Sequence, residues 1–90
     1  VLKYEDYEDV IKRANNGVYG LGASVWGKDI EFAKTIAQRL QAGTVWINEC
    51  AVLSPGVPFG GHKQSGVGLE GGIDGLKQST LSKFIRINKG

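Results

Sequence analysis

The stretch Asp29-Ile30-Glu31-Phe32-Ala33-Lys34-Thr35-Ile36-Ala37-Gln38-Arg39-Leu40-Gln41-Ala42-Gly43-Thr44-Val45-Trp46-Ile47-Asn48 decides the fold. Asp29 reads as a helix N-cap, because a short carboxylate there accepts from amides that the first turn leaves unpaired. Ile30, Ala33, Ile36, Ala37 and Leu40 follow at helical spacing and make one apolar stripe. Gly43 falls where a helix C-terminus favours a residue with positive φ. Thr44 to Asn48 is rich in β-branched and aromatic residues and reads as a buried strand.

The same order precedes it. Tyr7, Val10, Ile11 and Ala14 share one helical face. Glu5 and Asp6 stand at its start, where negative charge complements the helix dipole and Asp6 can cap. Lys12 and Arg13 lie near its end, and Asn15-Asn16-Gly17 stops it. Leu21 to Trp26 is an apolar run of strand length. Helix, strand, helix and strand with short connections predict an α/β fold with a parallel sheet and helical crossovers. Two helices cannot cover both faces of such a sheet, so the pattern calls for more protein.

Downstream the chain turns glycine-rich. Gly56, Gly60, Gly61, Gly66, Gly68, Gly71, Gly72 and Gly75 fall within twenty positions. Glycine weakens both helix and strand, so this density calls for turns at positive φ or for close approach of another segment. A weak helix is expected around Ile73 to Ser79. Leu81 to Asn88 reads as a strand, with Leu81, Ile85 and Ile87 on one side and Phe84, Arg86 and Asn88 on the other. A terminal strand has unpaired edges and tends to pair with another segment or another subunit.

Ninety residues make at most one small domain, which would bury only about 60% of its unfolded surface. The chain is 41% apolar and 22% charged, and it has no apolar run of membrane-spanning length. Eleven basic residues against nine acidic ones, scattered along the chain, form no basic stripe, which argues against a nucleic-acid binder. One cysteine permits no intrachain disulfide and fits a reducing compartment, with the cytoplasm as the default. No targeting segment is visible. The sequence opens with Val1, inside what reads as a strand, as a piece of a longer protein, or a processed one, would.

Several motifs invite chemistry. Gly66-Val67-Gly68-Leu69-Glu70-Gly71 matches G-x-G-x-x-G. That pattern binds dinucleotides only between a strand and a helix, with an acid about twenty positions on. Here His62-Lys63-Gln64-Ser65 does not read as a strand, and the chain ends before such an acid. Gly22 to Lys28 nearly matches a P-loop, but Asp29 stands where a hydroxyl should meet magnesium, and a carboxylate there repels phosphate. Cys50 and His62, each the only residue of its type, could form a nucleophile pair. A cysteine nucleophile also needs an oxyanion hole and a cleft, so Cys50 reads better as a small apolar residue and His62 as a solvent-facing one. One cysteine and one histidine make no zinc site. Trp26 and Trp46 read as sheet-packing residues. For Phe59, between Pro58 and two glycines, two readings stay open: a loop anchor in a core, or one wall of an apolar pocket.

Gly43-Thr44-Val45-Trp46-Ile47-Asn48, followed by Pro58-Phe59-Gly60-Gly61-His62-Lys63-Gln64-Ser65-Gly66-Val67-Gly68, resembles the C-terminal part of the aldehyde dehydrogenase superfamily. Ala14-Asn15-Asn16, Tyr19-Gly20-Leu21, Ala42-Gly43-Thr44 and Gly75-Leu76 agree with it in the same order. Leu69 departs from the usual basic residue at that position, and Gly71 from a larger one. The resemblance implies that residues 1–78 end a catalytic domain built on a parallel α/β sheet, and that residues 79–90 carry an oligomerisation strand. It implies oxidation of an aldehyde to a carboxylic acid with NAD or NADP. In such enzymes a cysteine thiolate attacks the aldehyde, hydride leaves to the nicotinamide, and a glutamate activates the hydrolytic water. Those groups and the cofactor domain lie upstream of Val1 in the family, so no catalytic or cofactor-binding residue is expected here. Ala51 and Leu53 match pocket-lining positions, and Phe59 matches an aromatic of the aldehyde tunnel. Apolar Ala51 and Leu53 imply an apolar or aromatic aldehyde.

The implied partners are the remainder of the catalytic domain, a second subunit through the Leu81 to Asn88 strand, and a small aldehyde. No nucleic acid or membrane is implied. Two other classes remain: a non-enzymatic interaction module docking through its open sheet, and a small anion-binding domain using loop amides.

Overall fold

The computed structural model describes residues 3–90; the strand expected at Val1 lies outside them. The first element, α1 (Tyr7–Ala14), starts where expected. The Asp6 carboxylate accepts from the Asp9 amide at 2.7 Å, with Glu8 and Asp9 in the first turn and Lys12 and Arg13 in the last. Charge at both ends therefore opposes the helix dipole. The chain then makes β1 (Tyr19–Gly20) and β2 (Gly22–Val25). Asp29 caps α2 (Ile30–Ala37), accepting from the Phe32 amide at 3.0 Å. It leads to β3 (Thr44–Ile47), β4 (His62–Lys63) and α3 (Gly72–Gln78).

The chain is mixed α/β. β2 and β3 run parallel, in a register that places Gly22 opposite Thr44 and Val25 opposite Ile47. A second pair, not anticipated from the sequence, is antiparallel: Tyr19 faces Lys63 and Gly20 faces His62. His62 and Lys63 are therefore strand residues, contrary to the expectation of loop. So short a strand carries no alternation to read.

α1 and α2 meet through aromatic rings, Tyr7 against Phe32 at 4.7 Å and 71°, edge to face. Arg39 makes a two-pronged hydrogen bond to the Glu8 carboxylate, 2.6 Å on each arm. This bond and the guanidinium charge hold the Glu8 carboxyl below its ordinary range. The Asn15 side chain donates to the Arg39 carbonyl and accepts from the Gln41 amide, each at 2.8 Å, and ties the end of α1 to the approach to β3.

Gly43 does not close a helix. α2 ends earlier, at Ala37 with Gln38 as its cap, and Gly43 keeps an ordinary φ. It is small for a steric reason: a Cβ there would overlap the Gly60 carbonyl. The expected strand over residues 81–88 does not form within this chain. Among the described residues nothing pairs with it, and a strand exists only where a neighbour takes its amides and carbonyls. Leu81 is 96% and Phe84 87% exposed. Trp26 is exposed rather than packed on the sheet, its indole N–H reaching only Ser24 Oγ at 3.1 Å.

The buried hydrophobic side chains among the described residues are Ile11 and Ala33. The radius of gyration is 18.3 Å, where a compact domain of this length has about 12 Å. The accessible surface is 7690 Å², where a folded monomer of this mass exposes about 5,100 Å². The elements are formed, but the faces that should cover one another are open.

Candidate functional site

The loop from β3 to α3 is assembled by hydrogen bonds from its ends inward. After β3 the chain turns sharply at Asn48, whose φ is +58°. Asparagine tolerates this left-handed conformation because its side chain bonds locally. Here it accepts from the Gly27 amide at 2.8 Å and donates to the Gly27 carbonyl at 2.9 Å, joining the ends of β2 and β3. A second left-handed residue, Ala51, has φ +59° with no such side chain to help. Its neighbour Val52 is fixed by the Trp46 indole N–H, which donates to the Val52 carbonyl at 2.8 Å. Strain of this kind, about 1–3 kcal/mol per residue, persists only where the surroundings enforce it and gathers at functional loops.

Phe59 is half-buried. Its amide donates to the Glu70 carbonyl at 2.6 Å, and its carbonyl accepts from the Glu70 amide at 2.7 Å. This bridge closes the glycine-rich segment into a loop. Inside it, Gly60 lies so close to the Gly68 carbonyl that a Cβ would come within 2.6 Å. Gln78 of α3 accepts from the Leu69 amide through Oε1 at 2.7 Å, so the tail helix holds the loop through a side chain. A cleft of about 370 Å³ opens beside Phe59, bounded by Leu21, Val67, Leu69, Glu70 and Gln78.

The outer flank of the loop is fastened to the α1–β1 region. Lys63 Nζ donates to the Asn15 carbonyl at 2.7 Å and to the Gly17 carbonyl at 3.0 Å. The Gln64 amide donates to the Val18 carbonyl at 2.8 Å, and Ser65 Oγ accepts from the Gly20 amide at 2.7 Å.

Of the three residues assigned to a pocket, Phe59 lines the cleft, while Ala51 and Leu53 are exposed and line neither of the two clefts described here. The chain alone does not bring the three together. Two of the amides in Gly66–Gly71 are engaged: Leu69 donates to Gln78 and Glu70 to Phe59. Cys50 is exposed, not a small buried apolar residue, and no hydrogen bond joins it to His62 among the described residues. Among those residues, no group of three or more His, Cys, Asp or Glu could hold a metal, and no helix is long and apolar enough to cross a membrane.

A second cleft, about 430 Å³, lies between α1, α2 and the end of β2, with Tyr4, Tyr7, Val10, Trp26 and Phe32 on its walls. Its polar lining includes Ser24, Lys28 and Asp29, of which Asp29 is already the cap of α2. Sequence reasoning missed the polar fasteners Asn15, Asn48, Lys63, Ser65 and Gln78. The available signal was that four of them, Asn15, Asn48, Lys63 and Ser65, stand within the motifs that carry the resemblance.

A model of the aldehyde dehydrogenase family matches residues 1–85. Aldehyde dehydrogenase 1A1 of Oryctolagus cuniculus is 49% identical over 87 residues, which is 97% of this chain and 18% of that protein. The mitochondrial aldehyde dehydrogenase of Mesocricetus auratus is 48% identical over 97% of this chain and 17% of its own. Among solved structures, the NAD+ complex of aldehyde dehydrogenase from Bacillus cereus superposes with a TM-score of 0.88 at 44% identity, over 99% of this chain and 18% of that one. Betaine aldehyde dehydrogenase from Staphylococcus aureus in complex with NAD+ gives 0.81 at 43%, over 83% and 15%. The chain spans less than a fifth of the length of these relatives.

Proposed function

The chain belongs to the aldehyde dehydrogenase family, and on that premise we propose that it is the C-terminal part of an enzyme oxidising an aldehyde to a carboxylic acid with NAD as acceptor. The nucleophile, the general base and the cofactor site belong to the remainder of that enzyme. This chain contributes walls of the aldehyde pocket and a subunit contact, and is inactive by itself. NADP remains the alternative acceptor, and the cytoplasm is the compartment that a single cysteine fits.

The observation that carries this reading is the superposition on the Bacillus cereus enzyme over 99% of the chain. It takes in almost all of a tail that has no strand partner among the described residues. Residues 1–78 then end the catalytic domain, and residues 79–90 lie against a neighbouring subunit, where the strand of residues 81–88 gains its partner. Ala51, Leu53 and Phe59 meet at the pocket once the remaining walls are present. The left-handed backbone at Ala51 supports a loop shaped for contact.

Leu53→Ala in the full-length enzyme tests the pocket. Removing this branched side chain is expected to reorder aldehydes by kcat/KM, bulky apolar ones losing about 10-fold relative to small ones, the scale of one or two methylenes in an apolar pocket. An unchanged ranking would remove Leu53 from the pocket.

A further inference from the structure

We propose that Lys63 is a positioning residue for the aldehyde pocket, clamping the Phe59 loop to the C-terminal end of α1. This rests on Phe59 being a pocket wall, as argued above.

Phe59 sits on a segment with glycine on both sides of the cleft, and glycine fixes no direction by itself. Two anchors bear on its aim most directly, beside the Gln64–Val18 and Ser65–Gly20 bonds. One is the Phe59–Glu70 bridge. The other lies just downstream, where Lys63 reaches out of β4 to the carbonyls of Asn15 and Gly17 at 2.7 and 3.0 Å. Those carbonyls lie at and just beyond the end of α1, where backbone acceptors lack helical partners and the dipole favours a cation. An ammonium offers three donors and no acceptor, so it satisfies two carbonyls at once. Among the described residues Lys63 makes no ion pair with a carboxylate, so these carbonyls are its recorded partners. Its backbone is left-handed, φ +53°, a strained conformation that persists only where the surroundings enforce it.

The site also connects to the strand pair. Asn15, whose carbonyl Lys63 holds, ties α1 to Arg39 and Gln41 through its side chain. The loop's outer flank is thus referenced to the same frame that places β3, from which Ala51 and Leu53 depart. Lys63 sets the distance between the Phe59 wall and the wall carried by the chain after β3.

The test uses the full-length enzyme with Lys63→Met, Lys63→Arg and Phe59→Ala, measuring kcat and KM for a small and a bulky aromatic aldehyde and KM for NAD. Lys63→Met is expected to lower kcat/KM for the bulky aldehyde about 10-fold, short of the ~100-fold that a one-ångström misplacement can cost. KM for NAD should not move. Lys63→Arg, which keeps several donors, should restore most of the loss. Equal losses for both aldehydes, a raised KM for NAD, or a lowered melting temperature with an unchanged aldehyde ranking would overturn the assignment. If Phe59→Ala reorders the aldehydes and Lys63→Met does not, the clamp alone fails. If neither reorders them, the pocket reading fails with it. Lys63→Gln, which keeps one amide, gives the same comparison should Lys63→Met not fold.

Discussion

At the scale of single residues, small size and short polar side chains decide more than charge does. Gly43 and Gly60 are in backbone contact, which brings the chain entering β3 against the loop that carries Phe59. Adding one methyl at Gly43 would drive it into the Gly60 carbonyl, and overpacking against backbone costs about 1–3 kcal/mol or more. Gly27 is the matched control, because a Cβ there meets nothing within 4 Å. Gly43→Ala in the full-length enzyme is therefore expected to lower the thermal midpoint and activity together, while Gly27→Ala leaves both near wild type. Equal tolerance at the two positions, followed by thermal melting, would contradict this packing. The sequence marked Gly43 as special but assigned the wrong cause. A helix-ending glycine and a close-contact glycine look alike until the opposing backbone is known.

Among the elements, local chemistry was legible and pairing was only partly so. Asp6 and Asp29 cap α1 and α2 as their positions required, because capping depends on a few neighbouring residues. Replacing Asp29 with alanine should cost about 1 kcal/mol at the start of α2, roughly a fivefold faster amide exchange at Phe32 and Ala33. Hydrogen exchange on the intact enzyme reads this directly, and unchanged protection at both amides would show that the cap is idle. The two-residue pair of β1 with β4 was not legible, since it depends on residues far apart in sequence and carries no hydrophobic period. The Glu8–Arg39 bond is likewise long-range. It lowers the carboxyl's folded value, so the stabilisation it gives is present above the unfolded carboxylate range and fades as acid protonates Glu8. Both side chains are well exposed, so that contribution is small.

For the whole molecule, the leading fact is unfinished burial. The surface is 7690 Å², about half as much again as a folded monomer of this mass exposes. The apolar side chains of the tail, Leu81, Phe84, Ile85 and Ile87, are all largely exposed. On the proposed reading these side chains are covered by a neighbouring subunit. The sequence foretold the open surface, because two helices and a short sheet leave faces without cover. The pocket was less legible: Ala51 and Leu53 line neither described cleft, and on the proposed reading they share a cavity with Phe59 only when the rest of the enzyme supplies the other walls. A non-enzymatic docking module would expose similar surface, and activity separates the two. The 90 residues can be produced alone and also together with the remainder of the enzyme as a separate chain, with NADH formation from an aldehyde followed in each. The expected result is no NADH from the isolated chain, none from the remainder, and NADH when the two are combined. NADH from the isolated chain, or undiminished activity of the remainder without it, would contradict the assignment.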